Sequence, residues 1–331
     1  MFINKKTSLI TFGDFIDLYL KIKEKGFKAI FFKLTKLNYS DKVSSKWDNY
    51  VNESDFWVIP EIRNHWNKTI SGNENVSYEE YVSKKYFSDK KKISLLSIGC
   101  GEGLHERNFC EYLHFQNVIG IDISNESIKI AKNKSEEENK KITYISSDFS
   151  KVDFKNEKFD IILFDSSLHH FEKINTFLRN NIKPILNENG VLVVFEYCGP
   201  NRLQWKNNQI KKCNDILKKL PKKFKKFQKI NYIKKKVYRP GILRMFAVDP
   251  SEAPDSENLQ SALHNNFDIL EEKKLGWNVI QPLFKGIAHN FLNKKKETKD
   301  LIKYIVNEEE NFLEENNIKS DAIFGVYKLK N

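Results

Sequence analysis

In this 331-residue chain three glycines alternate with other residues in Gly99-Cys100-Gly101-Glu102-Gly103, between a short apolar run and a helical pattern. Glycines in a strand-to-helix turn let the backbone approach a ligand and present N–H groups at the helix start, where an anion is stabilised. Nineteen residues beyond Gly103 a second apolar run ends in Asp122, placed to accept hydrogen bonds from a ribose diol. The two features together suit an adenine-nucleoside cofactor. A dinucleotide fingerprint needs G-x-G-x-x-G, and Leu104 stands where its third glycine or alanine belongs.

Further chemistry-bearing residues follow at similar intervals. Asp148-Phe149 and Asp165-Ser166-Ser167-Leu168-His169-His170 each come just after an apolar run, and Glu196 closes another. The adjacent histidines fit a metal pair, a general base or a structural hydrogen-bonding element. Adjacent side chains diverge and no acidic or histidine cluster lies nearby in sequence, so no metal is expected. A neutral histidine suits removal of a proton from an attacking hydroxyl, and His170 is favoured over His169. Glu196, Arg202, Gln204, Trp205 and Arg239 are candidate acceptor contacts, because donors beside an aromatic plane suit a sugar or nucleotide.

The elements that must position these residues alternate at βαβ spacing from about residue 92. Strands are expected over Ile93–Ile98, Val118–Ile121, Ile142–Ser146, Phe159–Phe164 and Val191–Glu196, the last entered through an Asn189-Gly190 turn. Helices are expected over Glu102–His114, from the Ser124 N-cap to Glu138, and over Glu172–Leu186. Phe267–Leu275 and Ala322–Leu329 read as two closing strands around a helical excursion that includes Leu301–Leu313. This is an α/β, doubly wound, mostly parallel sheet of seven strands. Residues 1–90 lack the rhythm and read as an N-terminal helical cap. Phe12, Phe15, Ile16, Tyr19 and Leu20 share one helical face there, and Trp47, Tyr50, Phe56, Trp57 and Trp66 form an aromatic-rich packed stretch. Residues 91–331 are the main domain, with a basic cap insertion at about 199–265.

The composition is ordinary for a globular protein, at 40% hydrophobic and 30% charged residues. Four cysteines without a C-x-x-C pair make neither a disulfide framework nor a usual zinc site. No signal peptide or 18-residue apolar run is present, so a cytoplasmic location is expected. The net charge of +12 is concentrated: Arg202 to Arg239 holds 15 Lys or Arg against one acid, Asp215. Such a block is a solvated helix face or a polyanion contact, either an anionic membrane surface or RNA. The Phe12–Leu20 face and its lysines would fit peripheral contact with an anionic inner membrane face.

Gly99–Gly103, Gly120-Ile121-Asp122-Ile123-Ser124, Ser147-Asp148-Phe149 and Phe164–Phe171 together resemble the motifs of class I, Rossmann-like S-adenosylmethionine-dependent methyltransferases. The resemblance implies that Gly99, Gly101, Gly103, Asp122, Ile123, Asp148, Phe149 and Asp165 hold S-adenosylmethionine. One departure is Ser97, where these enzymes usually carry an acid that helps hold the cofactor's amino group or organises the loop. Ser97 with Glu106-Arg107, Glu196–Trp205, Asp249–Ala253 and Gly286–Phe291 is similar to a bacterial group associated with surface-polysaccharide biosynthesis. That likeness implies methylation of a hydroxyl or amine on a small or lipid-linked sugar. The alternatives are an RNA methyltransferase using the basic block, and a non-catalytic binding protein on the same fold. Nucleic acid is disfavoured, because 165–170 lacks the Asn/Asp-Pro-Pro-aromatic string of amino-directed nucleic-acid enzymes.

Overall fold

The computed structural model describes residues 8–25, 55–89, 92–154, 157–228 and 230–330; Trp47 and Tyr50 lie outside them. Seven strands form one sheet: β1 (Ile93–Ile98), β2 (Phe115–Asp122), β3 (Thr143–Ser146), β4 (Phe159–Asp165), β5 (Leu186–Tyr197), β6 (Phe267–Gly276) and β7 (Ala322–Leu329). Their order is β3-β2-β1-β4-β5-β7-β6. The first five pair in parallel, and β7 runs antiparallel to both β5 and β6. Every residue of β1 is buried, as a continuous apolar strand covered on both faces should be.

The principal helices are α1 (Phe12–Lys25), α2 (Pro60–Ser71), α3 (Tyr78–Phe87), α4 (Leu104–Tyr112), α5 (Asn125–Glu137), α6 (Asn207–Lys219), α7 (Leu259–Asn266) and α8 (Lys296–Glu315). Trp66 of α2, Val82 of α3, Phe109 of α4, Ile216 of α6 and Ile305 of α8 share one core on one face of the sheet. α7 and residues 174–185 cover the other face. Phe56 and Trp66 meet Trp277 at ring separations of 5.0 and 5.7 Å, and Trp66 meets Phe195 of β5 at 5.6 Å. The segment 55–87 is therefore built into the main core.

Two local expectations fail for physical reasons. Asn189-Gly190 does not turn the chain before a strand; it lies within β5. There the register jumps from Phe159–Leu186 to Ile161–Val191, so the extra residues are absorbed as a bulge. The helix expected over Glu172–Leu186 is a short α-turn at Ile174–Phe177, then a π turn at Leu178–Ile182 and a 3-10 turn at Lys183–Ile185. Pro184 supplies no N–H and crowds the carbonyl four residues back, which breaks the regular ladder.

The basic block is neutralised in part from within the fold. Lys212 pairs with Glu308 at 2.6 Å, Lys223 with Glu297, and Lys211 and Lys218 with Asp215 at 3.3 Å. Lys234 is buried and donates to the carbonyls of Pro282, Leu283 and Lys285 at 3.1, 2.9 and 2.8 Å; burial pushes its amine down to about 7. α1 is fastened to the same region through Thr11 Oγ1 to the Arg239 carbonyl, the Gly241 N–H to Asp14, and Arg244 with Asp17. No described helix is long and apolar enough to cross a membrane.

Candidate cofactor and methyl-transfer site

The loops after β1, β2, β3, β4 and β5 open on one edge of the sheet, at the carboxyl ends of its parallel strands, where open α/β sheets bind ligands. They line one cavity of about 2680 Å³. Drug-sized ligands occupy sites of roughly 300–1,000 Å³, so the cavity has room for a nucleoside cofactor and a second reactant.

The glycine loop forms the cavity's cofactor end. Gly101 has φ +54°, and a side chain built on it meets no atom within 4 Å, so its Cα faces open cavity. Gly103 has φ +71° and plays a different part: a Cβ there would sit 2.2 Å from the Tyr144 hydroxyl, so it packs on β3 and is not a cavity wall. Gly103 is also the N-cap of α4 with no side-chain cap, which leaves first-turn N–H groups for an anionic ligand. Asp122 holds the loop from the neighbouring strand end: Oδ2 accepts from the Gly101 N–H at 2.9 Å and Oδ1 from the Ser124 N–H at 2.8 Å. Ile123, Asp148, Phe149 and Asp165 also line the cavity. Asp148 caps the next turn by accepting from the Ser150 N–H at 2.9 Å. These groups fit S-adenosylmethionine: carboxylates for a ribose diol and an adenine amine, and a helix start for its carboxylate.

Gly101→Ala is expected to lower S-adenosylmethionine affinity by roughly tenfold or more while the melting temperature moves little, because the new methyl occupies ligand space. Gly103→Ala, pressed against Tyr144, should instead lower the melting temperature. Calorimetric titration and thermal melts of the two variants separate these outcomes.

Ser97 has an acidic neighbour in space. Glu106 of α4 is fully buried beside the Ser97 hydroxyl, and burial holds its carboxyl above the usual range. A second polar group unforeseen in the sequence lies beside it. His105 is bracketed by Glu79 of α3 at 2.8 Å and Asp165 at 3.2 Å. Burial opposes its charge, but the two carboxylates outweigh that and push the imidazole up to about 10. His105 could have been noticed as the second residue past Gly103, in the first turn of α4. Glu79 carries no local signal.

At the other end of the glycine loop, the 3-10 turn Leu168–His170 follows β4. Glu196 is completely buried, which corrects the expectation that it meets the acceptor. Its Oε1 accepts from the Ser167 and Leu168 N–H groups, and its Oε2 accepts from His169 Nδ1 at 2.7 Å. With Nδ1–H given to Glu196, Nε2 is the proton-accepting nitrogen, and it lies 3.8 Å from Glu252 Oε1. The orienting carboxylate thus belongs to His169, not to the favoured His170, whose Nδ1 lies 3.1 Å from both the carbonyl and the hydroxyl of Ser251. His170, Asp249 and Glu252 each bring one donor atom within 4.8 Å of the others. The acidic neighbours that a cation would need, absent nearby in sequence, are supplied by the 249–252 turn.

The remaining acceptor candidates divide. Trp205 and Arg239 line the cavity, with Arg239 Nε donating to the Trp205 carbonyl at 2.6 Å. Arg202 and Gln204 do not: Arg202 donates to the Pro250 and Glu252 carbonyls, and Gln204 to those of Arg202 and Pro240. Both hold the loop where acceptor contact was expected of them.

The sheet order, the glycine loop and the acids at the ends of β2, β3 and β4 define the class of Rossmann-like, S-adenosylmethionine-dependent methyltransferases. Residues 96–194 match the family model for the methyltransferase domain. The ubiquinone biosynthesis O-methyltransferase of Pelagibacter ubique is 36% identical over 110 residues, covering 32% of this chain and 44% of that protein. The enzyme of the same name from Rickettsia canadensis is 25% identical over 162 residues, 48% of this chain and 61% of that protein. The demethylmenaquinone methyltransferase of Porphyromonas gingivalis is 27% identical over 116 residues, 34% of this chain and 47% of that protein. The chain spans about half the length of the curated relatives it matches.

Proposed function

We propose that this chain transfers a methyl group from S-adenosylmethionine to a hydroxyl of a second, bulky reactant in the same cavity, with His169 as the general base. The observation that carries this reading is the Glu196–His169 pair, a tethered base on the same edge of the sheet as the glycine loop. When bound, the cofactor supplies an electrophilic methyl on a sulfonium. The chain supplies placement and proton removal: the 165–170 turn is pinned by Glu196, His169 Nε2 takes the hydroxyl proton, and Glu252 faces the imidazolium that results.

The acceptor class we favour is a phenolic hydroxyl. Trp57, Trp66, Trp205 and Trp277 line the acceptor side of the cavity, and the relatives are named for quinone biosynthesis. A surface-glycan acceptor is the second reading, supported by Lys235, Lys236, Arg239 and Lys285 around the same cavity, which would suit the phosphates of a lipid-linked or nucleotide sugar. The pairing of basic-block lysines with Asp215, Glu297 and Glu308 weighs against RNA. Calorimetry with S-adenosylmethionine and S-adenosylhomocysteine should show binding of both; binding of neither would refute the enzyme reading. Methyl-transfer assays with catechols and with nucleotide sugars then decide the acceptor, and turnover of the sugars alone would overturn the phenolic assignment.

A further inference from the structure

Asp165, at the end of β4, is gripped on one oxygen only. The Tyr78 hydroxyl donates to its Oδ2 at 2.8 Å, and His105 Nε2 approaches the same oxygen at 3.2 Å. Oδ1 has no hydrogen-bond donor among the described residues, and the side chain is part of the cavity wall beside Ile98 and Gly99. The grip is itself held from behind. His105 Nδ1 lies 2.8 Å from Glu79 Oε1, and Asn108 donates to that oxygen at 2.9 Å. The Tyr78 ring stacks on His105 at 5.5 Å and on Phe195 at 5.7 Å, both at 27°. Tyr78 and Glu79 belong to α3, outside the segment 96–194 that matches the methyltransferase domain.

The charge in this assembly is unbalanced: two carboxylates, Glu79 and Asp165, share one imidazolium. A buried anion in excess favours a cation, above all one that can donate hydrogen bonds. The uncapped start of α4, next to it, favours an anion. An anion site and a cation site side by side are complementary to the zwitterionic end of an amino acid.

We infer that Asp165 Oδ1 binds the α-ammonium of the cofactor's methionine moiety, and that Tyr78, His105 and Glu79 act as positioning residues that aim it. This rests on the S-adenosylmethionine reading and deepens it, because it makes α3 part of the cofactor site. It also supplies an anionic contact for the amino group in a chain whose first strand carries Ser97 where an acid is usual. Glu106, being wholly enclosed, lies behind this contact and does not make it.

The test is a double-mutant cycle on the full chain with two ligands, S-adenosylmethionine and 5′-methylthioadenosine, which lacks the amino-acid end. Asp165→Asn should weaken S-adenosylmethionine by roughly 10- to 100-fold, and Tyr78→Phe by roughly 3- to 10-fold, with 5′-methylthioadenosine affinity unchanged in both. Tyr78→Phe should cost nothing further in the Asp165→Asn background, since Tyr78 works through that carboxylate. Glu79→Gln should behave as Tyr78→Phe does, and unchanged 5′-methylthioadenosine affinity shows that each variant has kept its nucleoside site. Equal losses for both ligands would mean a structural role, and additive losses would mean that Tyr78 does not act through Asp165; either overturns the inference. A wild-type chain that binds 5′-methylthioadenosine but gains nothing from the amino-acid end overturns it while leaving the nucleoside site intact. Failure to bind either ligand removes the cofactor reading with it.

Discussion

Asp122→Ala is expected to abolish measurable binding of S-adenosylmethionine, a loss of about 100-fold or more. The carboxylate has two duties that cannot be separated. It is the acceptor offered to the ribose diol, and a hydrogen bond to a charged group contributes about 1.5–3 kcal/mol each time it is made. It also fixes the loop, taking the Gly101 N–H on one oxygen and the Ser124 N–H on the other. Truncation therefore removes the ligand contact and releases the turn whose open face at Gly101 receives the ligand. Asp122→Asn is the informative companion. Its remaining oxygen can keep one backbone bond but not the charge, so an intermediate loss is expected. Calorimetry with S-adenosylhomocysteine reads both variants, and tight binding by Asp122→Ala would displace the cofactor from this loop.

The second large effect falls on rate. His169→Ala should lower kcat by roughly 10²- to 10⁴-fold, the usual contribution of a positioned base, while leaving S-adenosylmethionine affinity within about threefold of wild type. Glu196→Gln should lose much of the same rate: an amide can still accept from the Ser167 and Leu168 N–H groups but no longer offsets charge on His169. Glu196→Ala is a harsher change, leaving two buried N–H groups without an acceptor, and should also lower the melting temperature. His170→Ala is expected to be the milder histidine variant, because its Nδ1 faces Ser251 and no carboxylate orients it. Single-turnover assays at saturating cofactor distinguish these cases. Full turnover by His169→Ala would remove it from the mechanism.

The fold was legible where its causes are local. β1 ends in Gly99 and β2 in Asp122, and each apolar run is short and closed by a residue with a stereochemical or polar reason to stop it. Ser124 caps α5 through the Ser127 N–H, as its side chain and position predict. What escaped depends on distant partners. Nothing near Asn189-Gly190 announces a bulge, because the bulge is a misfit between β4 and β5. The same division runs through the site. The glycine loop and Asp122 are read from spacing, but Glu79 reaches His105 from another helix, and Asp249 and Glu252 reach His170 from about 80 residues away. Preference for His170 over His169 also had no local basis. The deciding carboxylate comes from β5, and from sequence it reads equally well as an acceptor contact.

The placement of β7 has a bearing on how the molecule is made. It lies between β5 and β6, so β6 has no strand to pair with until residues 322–329 exist. Phe56 and Trp66 likewise find Trp277 only after some 200 further residues have been synthesised. A nascent chain on the ribosome must therefore carry an unpaired edge on β5 and uncovered aromatic helices through most of its translation. Such surfaces invite wrong association. This chain should depend on holding factors during synthesis more than a protein whose strands pair in the order they emerge.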